Sequence, residues 1–282
     1  MTNRTDGATD PRRQVVGELL RSRKYRHVCD ATLHRVAEWA LARSESPTEA
    51  VKRAKRKLHQ VYGAFLDEME VDILDRRVEA TKEADEDQLR VACAGVLERH
   101  HSTAERMDLM LHENLYPTLL RLTGEPRSVL DIACGLHPFA LPWMGFPRST
   151  PYVALDIDKR IVELIDRFFA NIGQNGRAEC SDALIRRPAE PFDLVFLLKT
   201  IPSLEQQEKG GARRLLESLN ARSIIASFPA KSLGGRAGLS SDHHKRMMSA
   251  ILDGLKWSAE YVQFDTELFC VLRHLPPAPT LP

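Results

Sequence analysis

The chain has 282 residues, of which 43% are apolar and 28% charged, and its formal net charge is +1. That length supports one large domain or two smaller ones with real cores, and no apolar run reaches the ~18 residues that a membrane span needs. Five scattered cysteines (Cys29, Cys93, Cys134, Cys180, Cys270) without a CxxC pair argue against a disulfide framework and a zinc site. The N-terminus, MTNRTDGATDPRR, has no apolar core of a secretory signal, so a reducing cytoplasm is the expected location.

The neutral total hides an asymmetry. Residues 11–60 hold thirteen Lys/Arg against five Asp/Glu, whereas residues 61–100 hold five against eleven. A locally basic front is the electrostatic footprint of a polyanion-binding segment, although charged surface helices also occur without such a purpose.

Up to about residue 125 the pattern is helical. Asp30 reads as an N-cap for a helix carrying Leu33, Val36, Ala37, Ala40 and Leu41. Ser46-Pro47-Thr48-Glu49 reads as a capping box opening a second helix, with Val51, Ala54, Leu58, Val61 and Phe65 at helical spacing. Lys52, Arg53, Lys55, Arg56 and Lys57 crowd the other faces of that helix. Residues 85–122 are again helical and run into the second region. The division expected is an N-terminal helical, basic RNA-docking domain over 1–105 and a second domain over 106–282.

Beyond residue 125, short apolar runs alternate with helical stretches. Residues 128–133, 152–157, 178–180, 192–198 and 223–228 read as strands, with helices over 159–172 and 212–220. This alternation predicts a mostly parallel sheet wrapped by helices. Residues 257–264 and 267–274, separated by two residues, predict a closing antiparallel hairpin. The fold class expected is α/β behind an N-terminal helical domain, and a mostly parallel, Rossmann-like sheet finished by such a hairpin resembles the class I S-adenosylmethionine-dependent methyltransferase fold.

Ligands of such sheets lie at the carboxyl ends of the strands. The first strand ends in Asp131-Ile132-Ala133-Cys134-Gly135-Leu136-His137-Pro138, where Gly135 permits a sharp turn and close approach to a ligand. The second ends in Asp156, whose carboxylate can accept from both hydroxyls of a ribose. The third ends in Ser181-Asp182-Ala183, where a carboxylate can accept from an adenine amino group. Each acid alone could be a helix cap; three at successive strand ends favour a nucleoside-bearing cofactor.

Four segments then occur in order: His100-His101-Ser102-Thr103-Ala104-Glu105-Arg106, DIACGLHP (131–138), Phe196-Leu197-Leu198-Lys199, and SFPAKSLGGR (227–236). With the helical front, they resemble the aminoglycoside-resistance 16S rRNA (guanine(1405)-N(7))-methyltransferases over nearly the whole chain. The last segment is the most specific. The resemblance implies S-adenosylmethionine as cofactor and 16S rRNA in the 30S subunit as partner, with no metal and a monomeric enzyme. It implies that Arg106 holds the methionine carboxylate, with His100 and Ser102 at the same end. Ala133 and Gly135 would give the methionine room, Asp156 and Asp182 with Ala183 would bind ribose and adenine, and Leu198 and Gln207 would flank them. Phe65 would close over the cofactor, or serve as plain core.

The acceptor limits the catalytic groups to expect. Guanine N7 carries a lone pair and no hydrogen, so no general base is required. In agreement, the fourth strand ends in Leu198-Lys199-Thr200-Ile201-Pro202 rather than in the acidic NPPY-type loop of exocyclic-amine methyltransferases. Lys199 is placed to touch guanine O6 or a phosphate, or is a solvated lysine. Lys52, Arg53, Lys55, Arg56, Lys231, Arg236, Lys245 and Arg246 are the other expected RNA contacts. The adjacent His243 and His244 point to different faces of a helix, which argues against a metal. The alternatives are a methyltransferase of another RNA site or of a small molecule, which needs no basic front, and an inactive RNA-binding protein, which would bind no cofactor.

Overall fold

The computed structural model describes residues 10–63, 71–186, 188–230 and 240–274. Three helices open the chain: α1 (Pro11–Leu20), α2 (Asp30–Leu41) and α3 (Pro47–Leu58). They enclose their own apolar cluster, built from Val15, Leu19, Leu33, Val36, Ala54 and Leu58. Ser46 caps α3 by accepting from Glu49 N at 3.3 Å, with Pro47 in the first turn. The reciprocal half of the expected box is shifted, because Glu49 accepts from Glu45 N. Asp30 does not cap α2; Cys29 holds that position, and Asp30 in the first turn accepts from Lys159 Nζ at 2.9 Å. An acid there still faces the positive end of the helix dipole.

The expected long helical stretch over 85–122 is broken. It comprises α5 (Glu86–Leu97), α6 (His101–Ala104), α7 (Met107–His112) and α8 (Leu115–Thr123), preceded by α4 (Val71–Glu79). Asp85 and Gln88 cap α5 reciprocally. The break at 98–100 sets His100 and Arg106 beside the strand ends instead of along one rod. Leu74, Leu89, Leu109 and Leu119 from these helices join the core under the sheet.

That sheet contains β1 (Val129–Ile132), β2 (Tyr152–Asp156), β3 (Gly176–Cys180), β4 (Phe192–Leu198), β5 (Ala221–Pro229), β6 (Trp257–Gln263) and β7 (Glu267–His274). Their order is β3-β2-β1-β4-β5-β7-β6. The first five are mutually parallel, and β7 lies antiparallel between β5 and β6. The hairpin was expected from the two-residue gap; its insertion with β7 innermost was not. The difference follows from burial, since β7 is buried from Glu267 to Leu272 and β6 is largely not.

Strand alternation sends successive residues to opposite faces. Tyr152, Ala154, Leu194, Phe196, Phe269 and Val271 meet α5, α7, α8, α9 (Leu141–Met144) and α10 (Lys159–Ile172) on one side. Leu130, Val153, Leu155, Val195, Leu197, Leu268 and Cys270 meet α11 (Thr200–Gln207), α12 (Gly211–Ser218) and α13 (Ser241–Leu252) on the other. Strands covered on both faces read as continuous apolar runs, which is why they were legible. Strand order reverses between β1 and β4, so a crevice opens there at the carboxyl ends.

Candidate functional site

A cleft of about 1020 Å³, its mouth included, occupies that crevice. Its floor is the turn after β1. Ala133 and Gly135 both have left-handed backbone, at φ 54° and 51°. A side chain at Gly135 would stand 3.3 Å from the His100 ring, so glycine keeps the space between ring and backbone open. Lys199, after β4, is left-handed as well, at φ 56°. Non-glycine residues in this region are uncommon and concentrate where a site imposes them.

Asp156 is buried at the end of β2. Its Oδ2 accepts from Gly135 N and its Oδ1 from Asp158 N, each at 2.9 Å. Both oxygens are therefore fixed by backbone, with lone pairs left for a ligand. Burial raises its pKa to about 6, against the opposing effect of those N–H groups. Asp182, after β3, is buried too; Oδ1 accepts from Leu184 N at 2.9 Å, and Oδ2 accepts from Thr32 Oγ1 at 2.9 Å and Arg35 Nε at 2.8 Å. Ala183 is buried beside it, and Leu198 and Gln207 close the adjoining wall.

The far end of the cleft holds the charged groups from the broken helical stretch. Arg106 is buried and gives Nη2 and Nε to Glu267 at 2.7 and 3.1 Å. Burial opposes its charge, but the Glu267 carboxylate outweighs burial and the pKa stands above the usual value. A planar fork has five N–H donors, so one edge remains for another carboxylate. Lys199 is not a solvated lysine: Nζ lies 2.5 Å from Glu105 Oε2, 3.4 Å from Ser102 O and 3.8 Å from Glu267. His100 is buried, and burial followed by the charges of Arg106 and Lys199 lowers its pKa to about 4, so its ring is neutral at pH 7.

Ten of the residues proposed for cofactor contact thus line one cleft: His100, Ser102, Arg106, Ala133, Gly135, Asp156, Asp182, Ala183, Leu198 and Gln207. Phe65 lies outside the described residues, as do Lys231 and Arg236. Lys52 and Arg56 are exposed on α3, while Arg53 is paired with Glu49 and Lys55 is half-buried. Lys245 and Arg246 border a separate surface groove with Tyr261, where Lys245 Nζ stands 5.7 Å from the ring centre.

Several lining residues escaped the sequence reading. Arg35 and Tyr62 come from the helical front, and Tyr62 donates to Asp158 at 2.8 Å. Nothing local marks a partner 147 residues away, as Arg35 is from Asp182. His137 had a signal, its place in the DIACGLHP segment. It is buried, bonded to Asp131 at 2.7 Å and Tyr116 at 3.0 Å, and meets the edge of Phe196. Tyr152 also donates to Asp131, at 2.9 Å.

The arrangement suits S-adenosylmethionine. The space kept open at Gly135, two acceptor carboxylates at neighbouring strand ends, an arginine edge opposite them and the apolar Ile157, Ile161, Leu198 and Leu204 between match an amino acid joined to a nucleoside. Among the described residues no cluster of three or more His, Cys, Asp or Glu could hold a metal, and no helix is long and apolar enough to cross a membrane.

Comparison with known proteins agrees in family. The profile of the ribosomal RNA methyltransferase (FmrO) family matches residues 21–271. A 16S rRNA (guanine(1405)-N(7))-methyltransferase of Micromonospora echinospora is 38% identical over 229 residues, 79% of this chain and 82% of that protein. One from Frankia casuarinae is 34% identical over 272 residues, 94% of each. Among solved structures, the 16S rRNA methyltransferase RmtF in complex with S-adenosyl-L-homocysteine superposes with a TM-score of 0.79 at 31% identity, covering 94% of this chain and 98% of that one. The 16S rRNA methylase RmtB gives 0.74 at 27%, covering 93% and 98%. By the extent of these matches, and with its cleft at the sheet's strand reversal, this chain belongs to the FmrO family of ribosomal RNA methyltransferases.

Proposed function

We propose that this enzyme methylates N7 of guanine 1405 in the decoding site of 16S rRNA, within the 30S subunit, and thereby gives aminoglycoside resistance. The observation that carries the reading is the cleft that Arg106, Asp156 and Asp182 line together, with Arg35 and Tyr62 of the helical front in its wall. It acts as a monomer in the cytoplasm, without a metal, with residues 1–105 as the docking unit and 106–282 as the methyl-transferring unit.

Asp156 takes the ribose hydroxyls on the lone pairs left by its two backbone donors, and Asp182 takes the adenine amino group. The free edge of Arg106 and the end formed by His100 and Ser102 take the methionine carboxylate. Bound S-adenosylmethionine supplies an electrophilic methyl on a sulfonium. Guanine N7 has no proton to lose, so the protein contributes position and electrostatics rather than a base. His100 stays neutral there, and Glu105 and the Ser102 carbonyl take two of the three donors of the Lys199 ammonium, which leaves one for the base. A lysine giving a hydrogen bond to O6 holds guanine while leaving N7 clear, and it disfavours adenine, which presents an amino donor there.

A base within folded RNA must be reoriented or flipped to reach such a cleft. Lys52, Arg53, Lys55 and Arg56, with Lys245, Arg246, Lys231 and Arg236, supply phosphate contacts that position the subunit. The test is primer extension on 16S rRNA from cells expressing the protein: one stop in the decoding site, dependent on borohydride and aniline treatment, is expected. A stop elsewhere, or none, refutes the assignment.

A further inference from the structure

The nucleoside end of the cleft is not built by the sheet alone. Arg35, on α2 of the helical front, has its side chain 20% exposed. It reaches Asp182 Oδ2 with Nε at 2.8 Å and with Nη2 at 2.7 Å, and Nη2 also donates to Gln207 Oε1 at 2.8 Å. Thr32, one turn earlier on the same helix, gives its hydroxyl to the same Oδ2 at 2.9 Å. Oδ2 thus accepts two hydrogen bonds from α2, from Arg35 Nε and Thr32 Oγ1, with Arg35 Nη2 also at ion-pair distance, while among the described residues Oδ1 accepts from Leu184 N. A carboxylate loaded so unevenly cannot rotate without breaking several charge-assisted bonds.

We infer that Arg35 is a positioning residue for recognition of the adenine amino group: it holds Asp182 with Oδ1 presented to the cleft and turns Gln207 so that its amide nitrogen, not its oxygen, faces away from the guanidinium. The clamp makes cofactor selection depend on the helical front. This rests on the reading that the cleft binds the adenosyl group. Without the guanidinium, a buried carboxylate loses its counter-charge and draws water into the adenine pocket. A bridging water accepts or donates as needed, so it serves either base.

The test is calorimetry with S-adenosylhomocysteine and with its hypoxanthine analogue, in which a carbonyl acceptor replaces the amino donor. The wild-type protein should prefer the adenine compound by about tenfold or more, since a site built around a donor rejects a ligand lacking it. In Arg35→Ala, the affinity for S-adenosylhomocysteine should fall ~10-fold and the preference should shrink to within about threefold, the loss expected for charge-assisted bonds. Arg35→Lys keeps the charge but lacks the planar fork that serves Asp182 and Gln207 in one fixed geometry, so it should lose most of the preference while folding normally. It decides the matter if the alanine variant fails to fold. A folded variant that weakens both compounds equally, leaving the wild-type ratio or raising it, overturns the inference. Failure of the wild-type protein to bind S-adenosylhomocysteine would instead overturn the cofactor reading.

Discussion

The strand-end cleft and the α3 surface are both rich in charge, yet they handle it in opposite ways. In the cleft, Arg106, Lys199, Asp156 and Asp182 are buried or nearly so, and each is tied by short bonds to a designated partner. On α3, Lys52 and Arg56 are exposed, and the described ion pair of that face is Arg53 with Glu49. Fixed charges in a low-dielectric site select a small ligand by geometry; exposed charges attract a polyanion over a distance and are screened by salt. Mutations should therefore separate the two regions.

The largest effect belongs to the cleft. Asp156→Ala removes two acceptors for ribose and frees the Gly135 and Asp158 N–H groups. Affinity for S-adenosylhomocysteine should drop ~100-fold or more while the protein stays folded, by the cost of leaving such groups unpaired. Calorimetry on a variant with native circular dichroism reads this directly, and unchanged affinity would remove Asp156 from the site.

Lys199→Ala sharpens the comparison from within the cleft. It should lower turnover on 30S subunits ~10- to 100-fold, the scale of losing one electrostatic donor, with cofactor affinity changed by less than about threefold. Equal losses in both would mean that Lys199 serves the cofactor through Glu105 rather than the base. Charge reversal at Lys52, Arg53 and Arg56 should do the converse. Subunit affinity at ~0.1 M salt should fall ~10-fold or more, its salt dependence should flatten, and cofactor affinity should hold. Normal subunit binding by that variant would leave α3 as a solvated face.

The smallest effect is a pH dependence with a fixed sign. Asp156 has its pKa raised to about 6 by burial. As pH falls through that value the carboxylate gains a proton and gives up acceptor capacity, so cofactor affinity should decline several-fold between about pH 7 and 5. In the same window the folded protein holds a proton that the unfolded chain does not, so this group's contribution to stability rises on acidification. Affinity and stability should move in opposite directions, and Asp156→Asn should flatten the affinity profile.

The two regions also differ in how far they could be read beforehand. The strands announced themselves because both faces are buried, and Asp156 and Asp182 followed from standing at strand ends. The break at 98–100 was invisible because Glu98, Arg99 and His100 include neither glycine nor proline to mark the end of a helix. Arg35 and Tyr62 were missed because they reach the cleft only through docking of the front on the sheet, by Cys29 N to Ile157 O at 2.7 Å and Lys159 N to His27 O at 2.9 Å. Glu267 was missed because the order β5-β7-β6, which sets it opposite Pro229 and within reach of Arg106, is a tertiary fact.

If the cleft and the basic front together direct a methyl group to one ring nitrogen, the labelled product is fixed. The most direct measurement supplies purified 30S subunits and methyl-labelled S-adenosylmethionine to the enzyme, then digests the RNA to nucleosides and maps the labelled position by borohydride and aniline cleavage. Label is expected in 7-methylguanosine alone, with cleavage at guanine 1405. Label on an adenine, on a guanine amino group or at a guanine elsewhere would contradict it.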